Sequence, residues 1–265
     1  MGLYSDFETE TSYVYLKKIL ETLNEPICIL GGWAVYFTVN NAFRKDQGRN
    51  YLGSRDIDFG FYLDEKFTKH QLKNSTIGKA LKLLEKQDFK PLGFRYYKDI
   101  HIETRKELTS EQSKKTPTHD IFQIYVDPIV NEVHPMFRNV FGFDPIDESL
   151  LSYVFKDKNK RTELIEFNKR LWLPTPEILL ATKLKSIYKR TKDEKLIKDI
   201  CDIYVLSWYS QRNFHQLKHD AHKLIDESEE ITTKLLPEEF FKKAEIALGI
   251  EAETIKNIFL QLLKP

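Results

Sequence analysis

Cysteine is nearly absent from this chain: Cys28 and Cys201 are the only two among 265 residues. That excludes a disulfide-stapled fold and suits a reducing compartment. An excess of charge of one sign is also lacking. With 41 basic against 40 acidic residues the formal charge is +1, so nothing global draws the chain to nucleic acid, and a polyanionic partner needs a local basic patch. No apolar run is long enough to span a bilayer, and Met1 to Asp6 lacks the basic-then-apolar order of a secretory leader. The expectation is a cytoplasmic protein with no membrane partner. Internal repeats and low-complexity tracts are missing too, which argues against solenoids and long disordered tails. Core-forming material, by contrast, is plentiful: the hydrophobic fraction is 41%, with 18 Phe and 13 Tyr, enough for one large domain or two ordinary ones.

The pattern of elements changes near residue 140. Before it, helical and strand-like stretches alternate. A helix is expected over Glu8 to Leu23, a buried strand over Ile27-Cys28-Ile29-Leu30, a helix from Trp33, a strand from Asp56 to Leu63, and a helix from Lys69 to Lys86. Strands follow over Phe94 to Glu103 and Ile121 to Val130, separated by a polar loop from Lys106 to Pro117. From Asp147 onward helical periodicity dominates, apart from a short strand-like segment near Leu164 to Leu173. Thr175-Pro176-Glu177 has the composition of a helix start, with a hydroxyl cap, proline at the first position and an acid in the first turn. Helices run on to Tyr188, over Asp193 to Tyr209, and beyond Pro237. The expected fold is α+β: a mixed sheet with flanking helices in residues 1–140, then a mainly helical domain in 141–265.

Chemistry concentrates at two places in the first part. Asp56-Ile57-Asp58-Phe59 carries two carboxylates at i and i+2 of a strand, on one face because successive side chains alternate, so both can share divalent cations. Gly31-Gly32 ends the first strand and precedes an apolar segment from Trp33. Backbone without side chains can approach a phosphate there, with a helix dipole aimed at it. The Gly53-Ser54 pair reads as the turn that starts the carboxylate strand, with Ser54 and Arg55 immediately ahead of Asp56 as further candidate site residues. A third acid lies in His119-Asp120-Ile121-Phe122-Gln123-Ile124-Tyr125-Val126-Asp127. If Phe122, Ile124 and Val126 face the core, alternation puts Asp127 on the open face.

Leu30-Gly31-Gly32 followed by Asp56-Ile57-Asp58-Phe59 resembles the signature of the nucleotidyltransferase superfamily, which includes DNA polymerase beta: a hydrophobic residue, Gly, Gly or Ser, and after a spacer a hydrophobic-flanked Asp-x-Asp. The spacer is longer than the compact motif, and Asn40 to Asn50 reads as a polar, loop-like insertion that accounts for it. The resemblance implies two Mg²⁺ ions, with Mn²⁺ as a substitute, held by Asp56, Asp58 and a third carboxylate. It also implies transfer of a nucleotide from a nucleoside triphosphate to an acceptor hydroxyl. The family places its third acid early in a strand and before a hydrophobic residue, which fits Asp120 rather than Asp127, so both stay open.

The helical part narrows the resemblance. Pro176-Glu177-Ile178-Leu179-Leu180-Ala181-Thr182-Lys183-Leu184, Arg190 and Lys198-Asp199-Ile200-Cys201-Asp202 are similar to the block of AbiEii-type nucleotidyltransferase toxins. Lys183 and Arg190 are seven apart and project from nearly one helix face; Asp199 and Asp202, three apart, are also neighbours. The resemblance implies that Lys183 and Arg190 hold triphosphate oxygens while Lys198, Asp199 and Asp202 support them, the helical domain completing a cleft for nucleotide and acceptor. It further implies an RNA acceptor such as a tRNA 3′ end, and a separately encoded antitoxin. Gly-Gly-Trp-Ala-Val with Asp-Ile-Asp-Phe also looks like the opening of lincosamide-modifying adenylyltransferases, and a non-catalytic nucleotide- or RNA-binding relative is a further alternative. His215, His219 and His222, at i, i+4 and i+7, are read as a solvated cluster rather than a zinc site. Trp172 and Trp208 are expected to pack the helical domain, and Trp33 the helix behind the glycines.

Overall fold

A computed structural model describes residues 3–225 and 236–264. The first helix, α1 (Asp6–Thr22), forms because Tyr15, Leu16, Ile19 and Leu20 recur on one face and are all buried. It leads to β1 (Ile27–Ile29), whose three residues are buried on both sides, and to α2 (Gly31–Gln47). The carboxylate strand is β2 (Asp56–Phe61). Then come α3 (Lys69–Asn74), α4 (Thr76–Lys86), β3 (Lys90–Leu92), β4 (Arg95–His101), α5 (Ser110–Lys115) and β5 (Ile121–Val130). The remaining elements are α6 (Phe137–Phe141), β6 (Ile146–Asp147), α7 (Leu151–Lys156), β7 (Arg161–Glu166), β8 (Lys169–Pro174), α8 (Pro176–Ile187), α9 (Asp193–Tyr209), α10 (Phe214–Leu224), α11 (Glu238–Leu248) and α12 (Ala252–Leu263).

The fold is α+β, an open mixed sheet flanked by helices, and the elements described after Pro174 are helices. Among the described residues the strand order is β3-β4-β5-β2-β1-β8-β7, with β6 on β5. β1 runs antiparallel to β2 and parallel to β8; β2 runs parallel to β5. The sheet's apolar face carries Ile57, Phe59, Phe61, Ile124 and Val126, all buried. Ile19 and Leu23 from the α1 side and Ala80, Leu81 and Leu84 of α4 close over it, which leaves the opposite face of β2 and β5 for polar work.

The chain divides into two compact units. One comprises residues 6–33 and 53–173 and contains the sheet; the other comprises residues 1–5, 34–52 and 174–265. In the second unit α9 packs against α8, α11 and α12, and α10 against α8. Most of α9 is buried, so its polar residues must find partners within the unit.

Several local expectations change. Asn40 to Gln47 is helix rather than loop: Val35, Val39 and Phe43 recur every four residues and are fully buried, so the polar residues between them form the other face. The Lys69 to Lys86 stretch is two helices, because Ser75 leaves helical geometry to cap α4 through the Gly78 amide. α5 interrupts the Lys106 to Pro117 loop, started by a Thr109/Gln112 capping box. The strand-like Leu164 to Leu173 stretch is a hairpin, β7 and β8, turned by Phe167 and Asn168 at positive φ. Thr175 stands at the N-cap of α8 without a side-chain hydrogen bond to it. Trp172 belongs to the sheet unit, with Arg161 stacked 3.7 Å from its ring centroid, and Trp208 is 61% exposed. Trp33 is buried as expected and donates to Ser12 at 3.1 Å.

Candidate functional site

Strand register builds the site. In the parallel β2/β5 pair Asp58 stands opposite Asp127 and Asp56 opposite Tyr125. Residues in register on adjacent strands share a face, so three carboxylates lie on the face away from Phe59, Phe61 and Val126. β4 extends the row: Tyr96 pairs with Val126 and Tyr97 with Tyr125, which brings Arg95 to Asp127. The Arg95 guanidinium grips Asp127 as a fork, Nε to Oδ1 at 2.9 Å and Nη2 to Oδ2 at 2.5 Å, and Nη2 lies 3.9 Å from Asp56 Oδ2. Its carbon lies 4.3 Å from the Tyr125 ring centroid. Tyr125 in turn donates to Gln123 at 2.5 Å, and Gln123 to the buried Asp99 at 2.9 Å. Burial works against the Arg95 charge, but the hydrogen bond to Asp127 and the charges of Asp127, Asp56 and Asp58 outweigh it and raise its pKa further.

Gly31 closes the other side. Its φ is +58°, and a Cβ built there would lie 1.9 Å from Asp58 Oδ2. Only glycine allows the chain to turn from β1 into α2 at this distance from the carboxylate. The Leu30 amide donates to the Asp58 carbonyl at 2.9 Å, locking the turn to β2. Gly32 follows in the first turn of α2. Ser54 is buried ahead of β2, and Arg55 pairs with Glu8 at 3.1 Å while lying over the Phe122 ring.

Asp120 lies outside this constellation. It ends a 3-10 turn at Thr118–Asp120, and its side chain lies 3.6 Å from His119 Nε2. Seven residue steps along extended chain separate it from Asp127, about 23 Å at ~3.3 Å per residue. Strand register sets Asp127 beside Asp58, and Asp120 does not reach that row.

The helical unit gathers the other candidates. Lys183 Nζ lies 2.6 Å from both Asp199 Oδ1 and Asp202 Oδ2. Arg190 Nε meets Asp199 Oδ2 at 2.5 Å, and Lys198 pairs with Asp202 one helical turn away. Tyr51 donates to Asp202 at 2.6 Å. Three cations thus share two carboxylates, with Lys183, Lys198, Asp199 and Asp202 all buried. Burial pulls the Lys183 pKa down, and Asp199 and Asp202 more than reverse it. Burial pushes the Asp202 carboxyl up, and Lys183 and Lys198 bring it below its ordinary value. Lys183 is therefore held inside a salt-bridge network rather than displayed as an exposed point charge. Burial pushes the thiols of Cys28 and Cys201 up, so both are unreactive. His222 Nε2 donates to the Leu262 carbonyl, 2.7 Å away, tying α10 to α12.

Sequence reasoning missed Arg95 and Tyr51. Arg95-Tyr96-Tyr97-Lys98-Asp99 has no clean polar/apolar alternation, because Lys98 is buried on the core side, where it pairs with Glu107 at 2.8 Å. The available signal for Arg95 was its position beside Gly93, at the tip of a short hairpin feeding the strand next to β5.

Asp56, Asp58 and Asp127 supply hard oxygen donors on one face, the kind Mg²⁺ or Mn²⁺ takes. Yet among the described residues no group of three or more His, Cys, Asp or Glu side chains is arranged to hold a metal ion, and both Asp127 oxygens are on Arg95. No helix of the described residues is long and apolar enough to cross a membrane.

No protein-family model matches the chain, and no curated protein matches it at a significant level. Among solved structures it is similar to an antigenic nucleotidyltransferase-like protein from Paracoccidioides brasiliensis, at 17% identity over 83% of this chain and 87% of that chain, with a TM-score of 0.37. A likeness of that size carries no information on chemistry.

Proposed function

We propose that the chain is a divalent-metal-dependent nucleotidyltransferase that moves a nucleoside monophosphate from a nucleoside triphosphate to an acceptor hydroxyl. One observation carries this reading: the in-register row of Asp58 and Asp127, with Asp56 on the same face and Gly31 backbone against Asp58. Asp56, Asp58 and Asp127 would hold the cations. Bound there, Mg²⁺ would neutralise phosphate charge and make the acceptor hydroxyl a better nucleophile.

The chain's own residues do the positioning. Gly31 and Gly32 leave backbone bare beside the carboxylates, where the start of α2 can receive phosphate oxygens. Ser54 and Arg55 stand immediately ahead of Asp56 for further contact. The acceptor hydroxyl gives up its proton to solvent as its oxygen bonds to the α-phosphorus and the bond from that phosphorus to the bridging β-phosphate oxygen breaks, and pyrophosphate leaves with that electron pair. Holding the two oxygens in line contributes most of the rate. The assignment of Lys183 and Arg190 to triphosphate oxygens, with Lys198, Asp199 and Asp202 supporting them, rests on the sequence block alone, since Lys183 and Arg190 are paired with Asp199 and Asp202. An RNA acceptor such as a tRNA 3′ end, an antitoxin partner and AbiEii-like behaviour rest on the sequence blocks alone.

A second reading has an observation of its own. Arg95 stands on Asp127 as a cation would, which suits a relative that binds nucleotide or RNA without transfer. One experiment separates the two. The protein is incubated with each labelled nucleoside triphosphate, total RNA and Mg²⁺, alongside Asp58→Asn. Label entering RNA with the wild type and absent with Asp58→Asn supports transfer; equal labelling by both ends it, and no labelling favours the binder.

A further inference from the structure

We infer that Arg95 is an internal competitor for the cation site: its guanidinium holds Asp127 away from any ion on Asp56 and Asp58, and sets the cation concentration at which the cage closes. The inference rests on the cation reading above. Both Asp127 oxygens are engaged, at 2.9 and 2.5 Å, so the lone pairs that the fork uses are closed to a metal, and a bidentate grip of that carboxylate on an ion requires the pair to break. Forks of this kind are among the strongest contacts a carboxylate makes.

The arrangement is built rather than incidental. Arg95 is placed by strand register beside Asp127, stacked on Tyr125 at 4.3 Å and near Phe94 at 5.0 Å. Tyr125 is itself fixed through Gln123 and Asp99. The Arg95 side chain is 17% exposed, so its charge is little screened and its grip is strong. It also explains why three suitable donors on one face do not form a closed cage. Yet Arg95 lies at the first position of β4, next to a hairpin tip where Leu92 and Phe94 are exposed. Its side chain can leave Asp127 without opening the core beneath Val126.

The test is Mn²⁺ binding to the nucleotide-free protein, followed by electron paramagnetic resonance, for the wild type, Arg95→Met, Asp127→Asn and the double variant. Arg95→Lys is a fifth form that keeps the charge but not the fork, and circular dichroism checks folding of each. The expected result is roughly tenfold or more tighter binding by Arg95→Met, an intermediate gain for Arg95→Lys, and loss of the gain when Asp127→Asn is added. Equal affinity in wild type, Arg95→Met and Arg95→Lys overturns the competitor role alone. A gain that persists without the Asp127 carboxylate also overturns it, since Arg95 then acts as a diffuse charge. No Mn²⁺ binding by any form overturns the cation reading itself.

Discussion

Gly31 and Asp58 touch so closely that a single methyl group cannot be placed between them: a Cβ at Gly31 would sit 1.9 Å from Asp58 Oδ2, on a residue with φ +58°. Gly31→Ala therefore meets two penalties. The left-handed backbone costs an ordinary residue about 1–2 kcal/mol, and Asp58 must move. The expected outcome is an unfolding free energy in urea lowered by at least that amount and loss of nucleotide transfer, whereas Gly48→Ala, with nothing within 4 Å of its Cβ at φ +68°, shows the backbone cost only. Comparable transfer by the two variants would detach Gly31 from the carboxylate site.

Asp127 and Asp120 separate by what each leaves behind. Asp127→Ala strands the partly buried Arg95 and removes a donor from the cation face, so it is expected to lose transfer and about 3 kcal/mol of stability. Asp120→Ala, on an exposed turn beside His119, is expected to stay within about 0.5 kcal/mol of wild type and to retain transfer. Chemical denaturation and the labelling assay measure both, and the reverse ranking would mean that strand register does not define the site.

Lys183 changes character once its surroundings are known. As an exposed cation it could be removed with the fold intact, but here it bridges the buried Asp199 and Asp202 at 2.6 Å. Lys183→Met is expected to cost about 3–5 kcal/mol, the typical effect of leaving buried charges unpaired, while Lys192→Ala, outside the network, changes little. Calorimetric melting decides; a wild-type midpoint in Lys183→Met would place the side chain outside the network.

The same network predicts an acid limb. Asp202 has a folded-state pKa below its ordinary value: burial raises it, and Lys183 and Lys198 more than reverse that. A carboxyl depressed in the folded state contributes stability that is complete above its unfolded value of about 3.9 and is lost as pH falls below it toward the folded value. Urea midpoints measured from pH 6 down to pH 3 should fall steeply below about pH 4, and less steeply in Asp202→Asn. Parallel slopes would falsify the assignment of this limb to Asp202.

The sequence by itself determined the local alternation that puts Asp56 and Asp58 on one face of β2, because a strand's period of two is a property of the backbone. It determined the helices whose apolar residues recur every three to four positions, α1 and α9 among them, and the parity that set Asp127 with Phe122, Ile124 and Val126 behind it. It also contained the helix at Asn40 to Gln47, in the spacing of Val35, Val39 and Phe43, but polar composition masked a periodicity carried by few residues. What only tertiary structure decided was pairing. Which strand lies beside β2, and in what register, follows from how α1 and α4 bury the apolar face, and no local pattern encodes it. That pairing puts Asp127 against Asp58, leaves Asp120 outside the row and brings Arg95 to the carboxylates. In the helical unit the three-residue spacing of Asp199 and Asp202 was legible, but α8 ends at Ile187, short of Arg190, and the sequence did not reveal that packing would bury Lys183, Asp199 and Asp202 with Tyr51 and leave Arg190 half-buried against Asp199. Side-chain periodicity is local and survives in the chain as written; charge partners are chosen by contacts between segments far apart in it, and those exist only after folding.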